Sequence, residues 1–211
     1  ISFKFDGKTY FGFKGDTLAS ALLSNGIHLV GRSFKYHRPR GIMACGSEEP
    51  NAICQINNST DLSEPNVRAT EIELYEGLEA SSQNCWPSVN FDIGGINNII
   101  SPFIPAGFYY KTFMWPKSFW KNIYEPLIRK TAGLGKSPTV PDPEIYDHRH
   151  VHCDVLIIGG GISGIMSAKL AAKNNFNTIL VDDKNSLGGS TIYQNNENFK
   201  IDNKISKNWL L

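Results

Sequence analysis

No apolar run in this sequence approaches the ~20 residues that a membrane-spanning helix requires. One of the longest, Val155–Ile158, leads directly into glycines. Neither sign of charge dominates, since 21 Lys and Arg stand against 20 Asp and Glu for a net charge of +1. A field this weak gives no reason to expect a nucleic-acid partner or an anionic membrane. The start, ISFKFDGKTY, contains neither an initiator methionine nor a signal peptide, so we expect a processed or missing N-terminus.

Cysteine is also scarce. The four cysteines stand at positions 45, 54, 85 and 153, without a C-x-x-C pair or a regular framework. This usage favours free thiols in a reducing cytoplasm over disulfides. The rest of the composition is globular, with 41% hydrophobic and 19% charged residues among 211. That balance is sufficient for a buried core, and the length suits one or two domains of roughly 100–200 residues.

The first part of the chain has the pattern of a small sheet packed on a helix. Residues 1–5 and 8–13 alternate apolar and polar side chains around Asp6-Gly7, which is typical of a β-hairpin. Asp16 and Thr17 offer an N-cap to an apolar helical stripe that ends before Asn25-Gly26. We predict an extended segment at 27–30, strands at 52–56 and 69–75, and a polar loop at 60–66. Residues 1–83 are therefore predicted to be an α+β domain of the β-grasp, ferredoxin-like type.

Such a domain raises the question of a [2Fe–2S] cluster. Plant-type ferredoxins hold the cluster with C-x4-C-x2-C and a distant fourth cysteine. Cys45 stands in the first position, but Pro50 and Ile53 stand in the next two, and neither side chain binds iron. Cys54 and Cys85 do not restore the spacing. We therefore predict a scaffold domain with no iron–sulfur cluster.

Residues 84–150 are rich in aromatic residues, proline and glycine, and include every tryptophan except Trp209. We predict a linker and docking segment built of short helices and irregular chain. One helix is predicted within 118–130, broken near Pro126. Pro138, Pro141 and Pro143 indicate a stiff linker.

Two polar clusters each leave two interpretations open. The first cluster forms either a phosphate or carboxylate site or a structural loop tied by arginine hydrogen bonds, and we favour the loop. Its residues are Arg32, Lys35, His37, Arg38 and Arg40. The second cluster forms either a metal site or a set of surface and turn histidines, and we favour the latter. Its residues are His148, His150, His152 and Cys153. No nucleophile–base pair and no pair of catalytic carboxylates is recognisable in the sequence.

The chain changes character at Asp154. Val155–Ile158 is a short, mostly β-branched run without a polar break, as expected of a strand covered on both faces. Gly159, Gly161 and Gly164 then form G-x-G-x-x-G, which permits a tight turn, close approach of a pyrophosphate and close helix–strand packing. The helix that follows directs its free N–H groups at the phosphate. Residues 151–211 are therefore predicted to be the first, incomplete part of a Rossmann-type α/β domain that binds NAD or FAD.

An acid follows the second predicted strand, Thr178–Val181. Asp182 lies about 20 residues after the glycines, the offset expected of an acid that hydrogen-bonds a ribose hydroxyl. Asp183 is adjacent and could substitute for it. An acid here favours FAD or NAD over NADP, whose 2′-phosphate it would repel. The predicted cofactor-binding residues are Gly159, Gly161, Ile162, Ser163, Gly164, Asp182, Asp183, Gly189 and Ser190.

Four strings resemble a known family. The strings SFKYHRPRGIMACGSEEPNA, AGFYYKTFMWP, YEPLIRKTAGLG and HCDVLIIGGG are similar to those of the α subunits of bacterial heterotetrameric sarcosine oxidases. The first and last are shared in weaker form with opine oxidases, hydrogen cyanide synthase, and subunits of proline or D-hydroxyproline dehydrogenases. The family's α subunit is far longer, and its second half resembles folate-binding aminomethyltransferases. We therefore expect this chain to be an N-terminal piece of a longer subunit.

The resemblance implies a cytoplasmic assembly with β, γ and δ subunits. Its members oxidatively demethylate sarcosine to glycine and hydrogen peroxide, and pass the one-carbon unit to tetrahydrofolate. The resemblance also implies NAD at the glycine turn of this chain, FAD on the β subunit, FMN near the α–β interface, and no residue of the amine oxidation in this chain. Two alternatives remain open: a subunit of a related FAD-dependent opine, proline or glycine dehydrogenase, and a non-catalytic assembly fragment.

Overall fold

The computed structural model describes residues 1–57, 62–103, 107, 113–184, 186–192, 200–201 and 204–205. The chain divides into two compact units, a first unit of Ile1–Pro143 and a second unit of Glu144–Leu211. Part of the predicted polar loop at 60–66, most of the aromatic string at 106–116 and most of the tail at 195–211 lie outside the described residues.

A five-stranded sheet forms the centre of the first unit. Its strands are β1 (Ser2–Phe5), β2 (Lys8–Phe11), β5 (Ile53–Asn57), β6 (Ser63–Arg68) and β7 (Leu78–Ser82), in the order β2-β1-β7-β5-β6. Only β1 and β7 run parallel. The predicted hairpin is confirmed: Phe5 pairs with Lys8, and Asp6 and Gly7 both have positive φ, as a two-residue type I′ turn requires.

Helix α1 (Leu18–Ser24) begins where the sequence predicts. The Thr17 side chain accepts a hydrogen bond from the Ser20 N–H, and the Ser20 hydroxyl accepts one from the Thr17 N–H, which completes a capping box. Leu18, Ala21 and Leu22 are fully buried against Phe3 and other apolar side chains of the sheet. The hairpin and the helix together therefore enclose one apolar core.

One predicted strand, 69–75, and the predicted loop at 60–66 were wrong. Residues 69–71 form a turn and Glu73 makes only an isolated bridge with Thr17. The Ile72 carbonyl accepts from the Leu18 N–H, and the Leu74 N–H donates to the Asp16 carbonyl. The predicted polar loop instead contributes the edge strand β6, where Pro65 and outward polar residues are tolerated. The strand β7, which was not predicted, lies in the middle of the sheet because β1 and β5 both pair with it.

The segment between α1 and β5 is organised by one buried carboxylate. It contains a short pair, β3 (Gly31–Arg32) with β4 (Pro39–Arg40), and a 3-10 turn at Gly46–Glu48. Glu49 is 1% exposed, and its carboxylate accepts the N–H groups of Met43, Ala44, Asn51 and Ala52 at 2.6–3.0 Å. Burial raises the pKa of this carboxyl, but the four N–H donors outweigh burial and leave the pKa below its usual value.

Short helices follow the sheet, as predicted. These are α2 (Ile96–Ile99), a π-helical turn (Trp120–Tyr124) and α3 (Glu125–Ala132). The expected break near Pro126 is absent: the π-helical turn passes directly into α3, and Pro126 lies in the first turn of α3. Gly133 ends α3 in the left-handed conformation.

Amide side chains of the sheet hold the chain that follows α3. Gln55 donates to the Lys136 carbonyl and accepts from the Lys136 N–H, both at 2.9 Å. Asn66 donates to the Leu134 carbonyl at 2.9 Å. A Cβ on Gly135 would press against Pro65 and Gln83, so the chain lies directly on the sheet.

The second unit has the strand–turn–helix–strand order that the sequence predicts. Strands β8 (Val155–Ile158) and β9 (Thr178–Val181) pair in parallel, and α4 (Ile162–Lys173) packs on both. Leu156, Ile158 and Leu170 remain more than half exposed. A further short pair joins β10 (Lys200–Ile201) to β11 (Lys204–Ile205).

The described chain is thus a mixed α/β protein. Among the helices that the structure describes, none is long and apolar enough to cross a membrane.

Candidate functional site

The glycine turn connects β8 to α4. Gly159 follows the last strand residue and has a φ of 102°, which an L side chain rarely adopts. Its N–H donates to the Val181 carbonyl at 2.8 Å, so the turn is tied to the end of β9. The two strand ends therefore meet at one edge of the parallel pair.

The second and third glycines of the pattern have different surroundings. Gly161 is the N-cap of α4, and its carbonyl accepts the Ile165 N–H at 2.9 Å. A Cβ on Gly161 would contact no protein atom within 4 Å, whereas a Cβ on Gly164 would overlap the Gly159 carbonyl oxygen. Gly164 thus serves the packing of helix on turn, and Gly161 leaves the turn open to an approaching group.

The start of α4 can bind an anion. No side chain caps it and no acidic residue occupies its first turn. The first N–H groups, those of Ile162, Ser163 and Gly164, lie at the positive end of the helix dipole. A phosphate or pyrophosphate placed beside Gly161 would therefore find donors and a favourable field.

Asp182 lies against the same turn. Its carboxylate accepts hydrogen bonds from the Gly160 N–H and, at 2.9 Å, from the Lys184 N–H. These two bonds, the one from Gly160 first, hold the pKa of Asp182 below its usual value. The Asp183 carboxylate is 82% exposed and lies 3.5 Å from the Lys184 ammonium. The two neighbouring acids therefore differ in role: only Asp182 bonds to the glycine turn.

The second glycine turn closes over the first. The Gly188 N–H donates to the Gly160 carbonyl at 2.7 Å, and the Thr191 hydroxyl donates to the Gly188 carbonyl at 2.6 Å. A Cβ on Gly189 would lie 3.1 Å from the Gly161 Cα. Ser190 is exposed in the 3-10 turn Gly189–Ile192. The structure thus brings the predicted residues from 159–164 and 182–190 together at one place.

Sequence reasoning missed Gly160 and Leu187. A Cβ on Gly160 would overlap the Leu187 side chain and lie 3.0 Å from the Asp182 carboxylate. The run Gly159–Gly161 contained a signal for Gly160, since G-x-G-x-x-G allows any residue at its second position. A glycine at that position indicates that another segment packs on the turn.

The basic stretch at 31–41 stabilises its own loop. Arg32 donates to the Val89 and His37 carbonyls, and Arg38 donates to the Asn98 side chain. His37 Nδ1 lies 2.6 Å from the Asp92 carboxylate, and both side chains are largely buried. These contacts agree with the structural interpretation of the stretch. His148, His150 and His152 are exposed on an extended segment.

The cysteines of the first unit lie in different environments. Cys45 is exposed, Cys85 is partly buried beside Ser82, and Cys54 is fully buried in the core. Burial, with a contribution from Asp6, raises the pKa of the Cys54 thiol to about 12. In the part of the chain that the structure describes, no three His, Cys, Asp or Glu side chains are grouped to hold a metal ion.

Two family models match the chain. Residues 1–85 match a 2Fe-2S iron-sulfur cluster binding domain, and residues 154–202 match a FAD dependent oxidoreductase. The cofactor prediction, NAD in this chain and no iron–sulfur cluster, is therefore corrected: the first match is to a cluster-binding family, and the second names FAD. Among the described residues, the cysteines do not form a ligand set for a cluster.

The chain also resembles known proteins over most of its length. It is 55% identical over 192 residues to sarcosine oxidase subunit alpha of Rhizobium meliloti, covering 91% of this chain and 19% of the relative. It is 29% identical over 207 residues to sarcosine oxidase subunit alpha of Corynebacterium sp. (strain U-96), covering 97% of this chain and 16% of the relative. The chain thus spans less than a fifth of the length of these relatives.

A solved structure has a similar fold. The match to the crystal structure of L-proline dehydrogenase from P. horikoshii covers 100% of this chain and 30% of the dehydrogenase chain, with a TM-score of 0.53 and 18% sequence identity. An identity this low supports likeness of fold alone. The sequence relationships are stronger, and they show that the chain is a homologue of sarcosine oxidase subunit alpha.

Proposed function

We propose that this chain is the N-terminal, dinucleotide-holding part of a sarcosine oxidase alpha subunit, an oxidoreductase acting on the CH–NH group of its donor. The observation that carries the proposal is the 55% identity with the Rhizobium meliloti subunit over 91% of the chain. Because the chain spans only 19% of that relative, the activity is assigned to the complete subunit in its complex.

The glycine turn is the proposed cofactor site. Gly159, Gly161 and Gly164 shape the turn, and the N–H groups of Ile162 and Ser163 would face the pyrophosphate. Asp182 and Asp183 are the proposed acids for the ribose, and Gly189 and Ser190 would border the cofactor from the second turn. The open surface at Gly161 and the uncapped start of α4 fit a pyrophosphate.

We assign FAD to this site, following the family match at residues 154–202. When bound, FAD would accept the two electrons, formally a hydride from the C–H bond, that leave the donor as its CH–NH group is oxidised to C=N. The described residues of this chain supply binding and orientation. The N–H groups at the start of α4 would offset the pyrophosphate charge, and the Asp182 carboxylate accepts a hydrogen bond from the turn.

The finer fold assignments belong to the same proposal. We assign residues 1–83 to a β-grasp domain, residues 84–150 to a linker and docking segment, and residues 151–211 to the first part of a Rossmann-type domain. The five-stranded sheet with its single helix supports the first assignment. The parallel pair β8–β9 with its crossover helix supports the last.

The partners follow from the relatives, which are named as subunits. We propose that the complete subunit assembles with β, γ and δ subunits in the cytoplasm. Sarcosine and tetrahydrofolate are the proposed substrates of that assembly.

The complete subunit, purified with its partner subunits, tests the proposal. We expect hydrogen peroxide to form when sarcosine is added, and tetrahydrofolate to take up the one-carbon unit that is otherwise released as formaldehyde. Proline and an opine serve as competing substrates. Oxidation of proline or an opine without oxidation of sarcosine would contradict the proposal and favour a related dehydrogenase.

The cofactor assignment has its own test on the 211-residue chain. Added FAD should lose fluorescence as it binds, and Gly161→Val should abolish that change, because the side chain would occupy the surface proposed for the pyrophosphate. Thr9→Ala, an exposed change on β2, is the matched control. Equal FAD binding by Gly161→Val and the unchanged chain would contradict the site.

A further inference from the structure

Three hydrogen bonds tie the glycine turn to the end of β9 and to the chain that follows it. The Gly159 N–H donates to the Val181 carbonyl, the Gly160 N–H donates to the Asp182 carboxylate, and the Gly188 N–H donates to the Gly160 carbonyl. Both backbone groups of Gly160 are therefore bonded within the protein. The bond to Asp182 is the only one of the three that a side chain supplies.

Packing reinforces these bonds. Leu187 and the Asp182 side chain lie so close to Gly160 that a Cβ there would overlap the first and lie 3.0 Å from an oxygen of the second. Gly160 itself is buried. The extra glycine of the GGG run is thus explained by contacts within the protein, since the following chain packs directly on the turn at this point.

We propose that Asp182 is a positioning residue, whose carboxylate fixes the glycine turn in its binding conformation in the absence of ligand. This inference rests on the proposed dinucleotide site and assigns one of its residues a second role. An ionised carboxylate has about four acceptor positions, and two of them accept the N–H groups of Gly160 and Lys184. The remaining positions leave room for a ribose hydroxyl, but the bond to the turn comes first.

The Lys184 bond makes this role directional. By accepting the Lys184 N–H at 2.9 Å, Asp182 fixes its own backbone turn and so the direction of its carboxylate. Asp183 has the same charge, one residue away, but its carboxylate is 82% exposed beside the Lys184 ammonium. It is therefore the matched control, since its removal changes the local charge equally and leaves the glycine turn intact.

The test compares Asp182→Asn, Asp182→Ala, Asp182→Glu and Asp183→Asn in the 211-residue chain. Hydrogen exchange of the Gly160 amide is followed by NMR without nucleotide, with amides of the first unit as the internal reference. We expect at least a tenfold loss of Gly160 protection in the Asn and Ala variants, and restored protection in Asp182→Glu. In Asp183→Asn, the protection of the Gly160 amide should stay within twofold of its value in the unchanged chain.

Nucleotide affinity separates positioning from direct contact. The probes are ADP and 2′-deoxy-ADP, which share a pyrophosphate and differ in one ribose hydroxyl. A positioning role predicts that Asp182→Ala weakens the binding of both nucleotides by at least tenfold, and any additional loss for ADP measures the contact with the ribose hydroxyl. Loss of affinity for ADP alone, or unchanged protection of the Gly160 amide in Asp182→Ala, would overturn the proposal.

If the Asp182 variants do not fold, the Gly160 amide chemical shift of the unchanged chain is followed by NMR during acid titration. A shift change that tracks carboxylate protonation supports the bond between Asp182 and Gly160, and a flat profile overturns it. If the unchanged chain binds neither ADP nor FAD while Gly160 protection still depends on Asp182, the proposed function fails and the bond to the turn stands.

Discussion

At the scale of single residues, the three glycines of the turn are required for different reasons. Gly159 needs a backbone conformation that side chains disfavour, Gly164 has a carbonyl oxygen where its Cβ would lie, and Gly161 has neither constraint. A motif written as three equal letters therefore describes three distinct requirements, which substitution to alanine can separate.

Gly164→Ala should affect stability, and Gly161→Ala should affect binding. The first inserts a methyl group against the Gly159 carbonyl and should cost about 1–3 kcal/mol. The second lies in extended backbone with open space, so stability should change by less than about 0.5 kcal/mol, while FAD affinity falls by about tenfold because the methyl group obstructs the pyrophosphate. Urea denaturation and flavin fluorescence measure the two effects. Loss of stability in Gly161→Ala would contradict the separation.

Glu49→Gln should destabilise the first unit at neutral pH by about 2–4 kcal/mol, since an amide cannot accept the four N–H groups that the carboxylate bonds. The folded pKa of Glu49 lies below the unfolded value near 4.5. Its contribution is therefore complete above about pH 4.5 and is lost as pH falls through the folded pKa. The difference in unfolding free energy between the unchanged chain and the variant should narrow in acid.

The measurement is urea denaturation at several pH values between 3 and 7. Glu48→Gln is the control, because Glu48 is the exposed neighbour in the same turn. A difference that stays constant over the whole range would show that the charge of Glu49 has no part in its effect.

At the scale of elements, polar side chains of the sheet hold the chain after α3. Gln55→Ala removes both hydrogen bonds to the Lys136 backbone, each worth about 1 kcal/mol. We expect trypsin to cleave after Lys136 about tenfold faster, since roughly 1.4 kcal/mol corresponds to a factor of ten in opening. Thr9→Ala should leave the cleavage rate unchanged. An equal rate in both variants would show that the amide bonds do not hold this segment.

The elements also show how far the sequence could predict the fold. The hairpin at Asp6-Gly7, helix α1 and the strand–turn–helix at Val155 were predictable because their signals are local: a turn pair, a cap, a glycine pattern. Strand β7 was not, because Leu78–Ser82 is short and partly polar and becomes a strand through pairing with β1 and β5. Residues 69–75 alternate like a strand, but Ala69, Ile72 and Leu74 form backbone hydrogen bonds with the start of α1 and the residues before it.

The same distinction applies to the site. The glycines and Asp182 could be predicted because spacing along the chain determines their positions. The roles of Gly160 and Leu187 depend on a contact between segments more than 20 residues apart in sequence, which a single pattern does not contain. The difference between Asp182 and Asp183 likewise became visible only from side-chain direction.

At the scale of the whole molecule, apolar burial is uneven. The fully buried apolar side chains among the described residues, such as Phe3, Leu18 and Leu78, all lie in the first unit. In the second unit, Leu156, Ile158 and Leu170 are more than half exposed. Since apolar burial is the main source of stability, the second unit should open at lower denaturant than the first.

Hydrogen exchange in increasing urea measures this order. Amides of β8 and β9 should exchange through an opening of lower free energy than amides of β1 and β5. FAD should raise the opening free energy of β8 and β9 alone, because ligand binding stabilises the unit that binds it. A single cooperative transition, shared by both sets of amides, would contradict the expected order.

The burial of Cys54 makes its thiol a probe of unfolding in the first unit. A thiol reacts with iodoacetamide as the thiolate, and Cys54 is shielded within the sheet with its pKa raised to about 12, while Cys45 is exposed. Alkylation of Cys45 should therefore be fast in the folded chain, and alkylation of Cys54 should proceed only as often as the central sheet opens. Mass spectrometry of the two peptides from one reaction would then report surface access and global opening side by side.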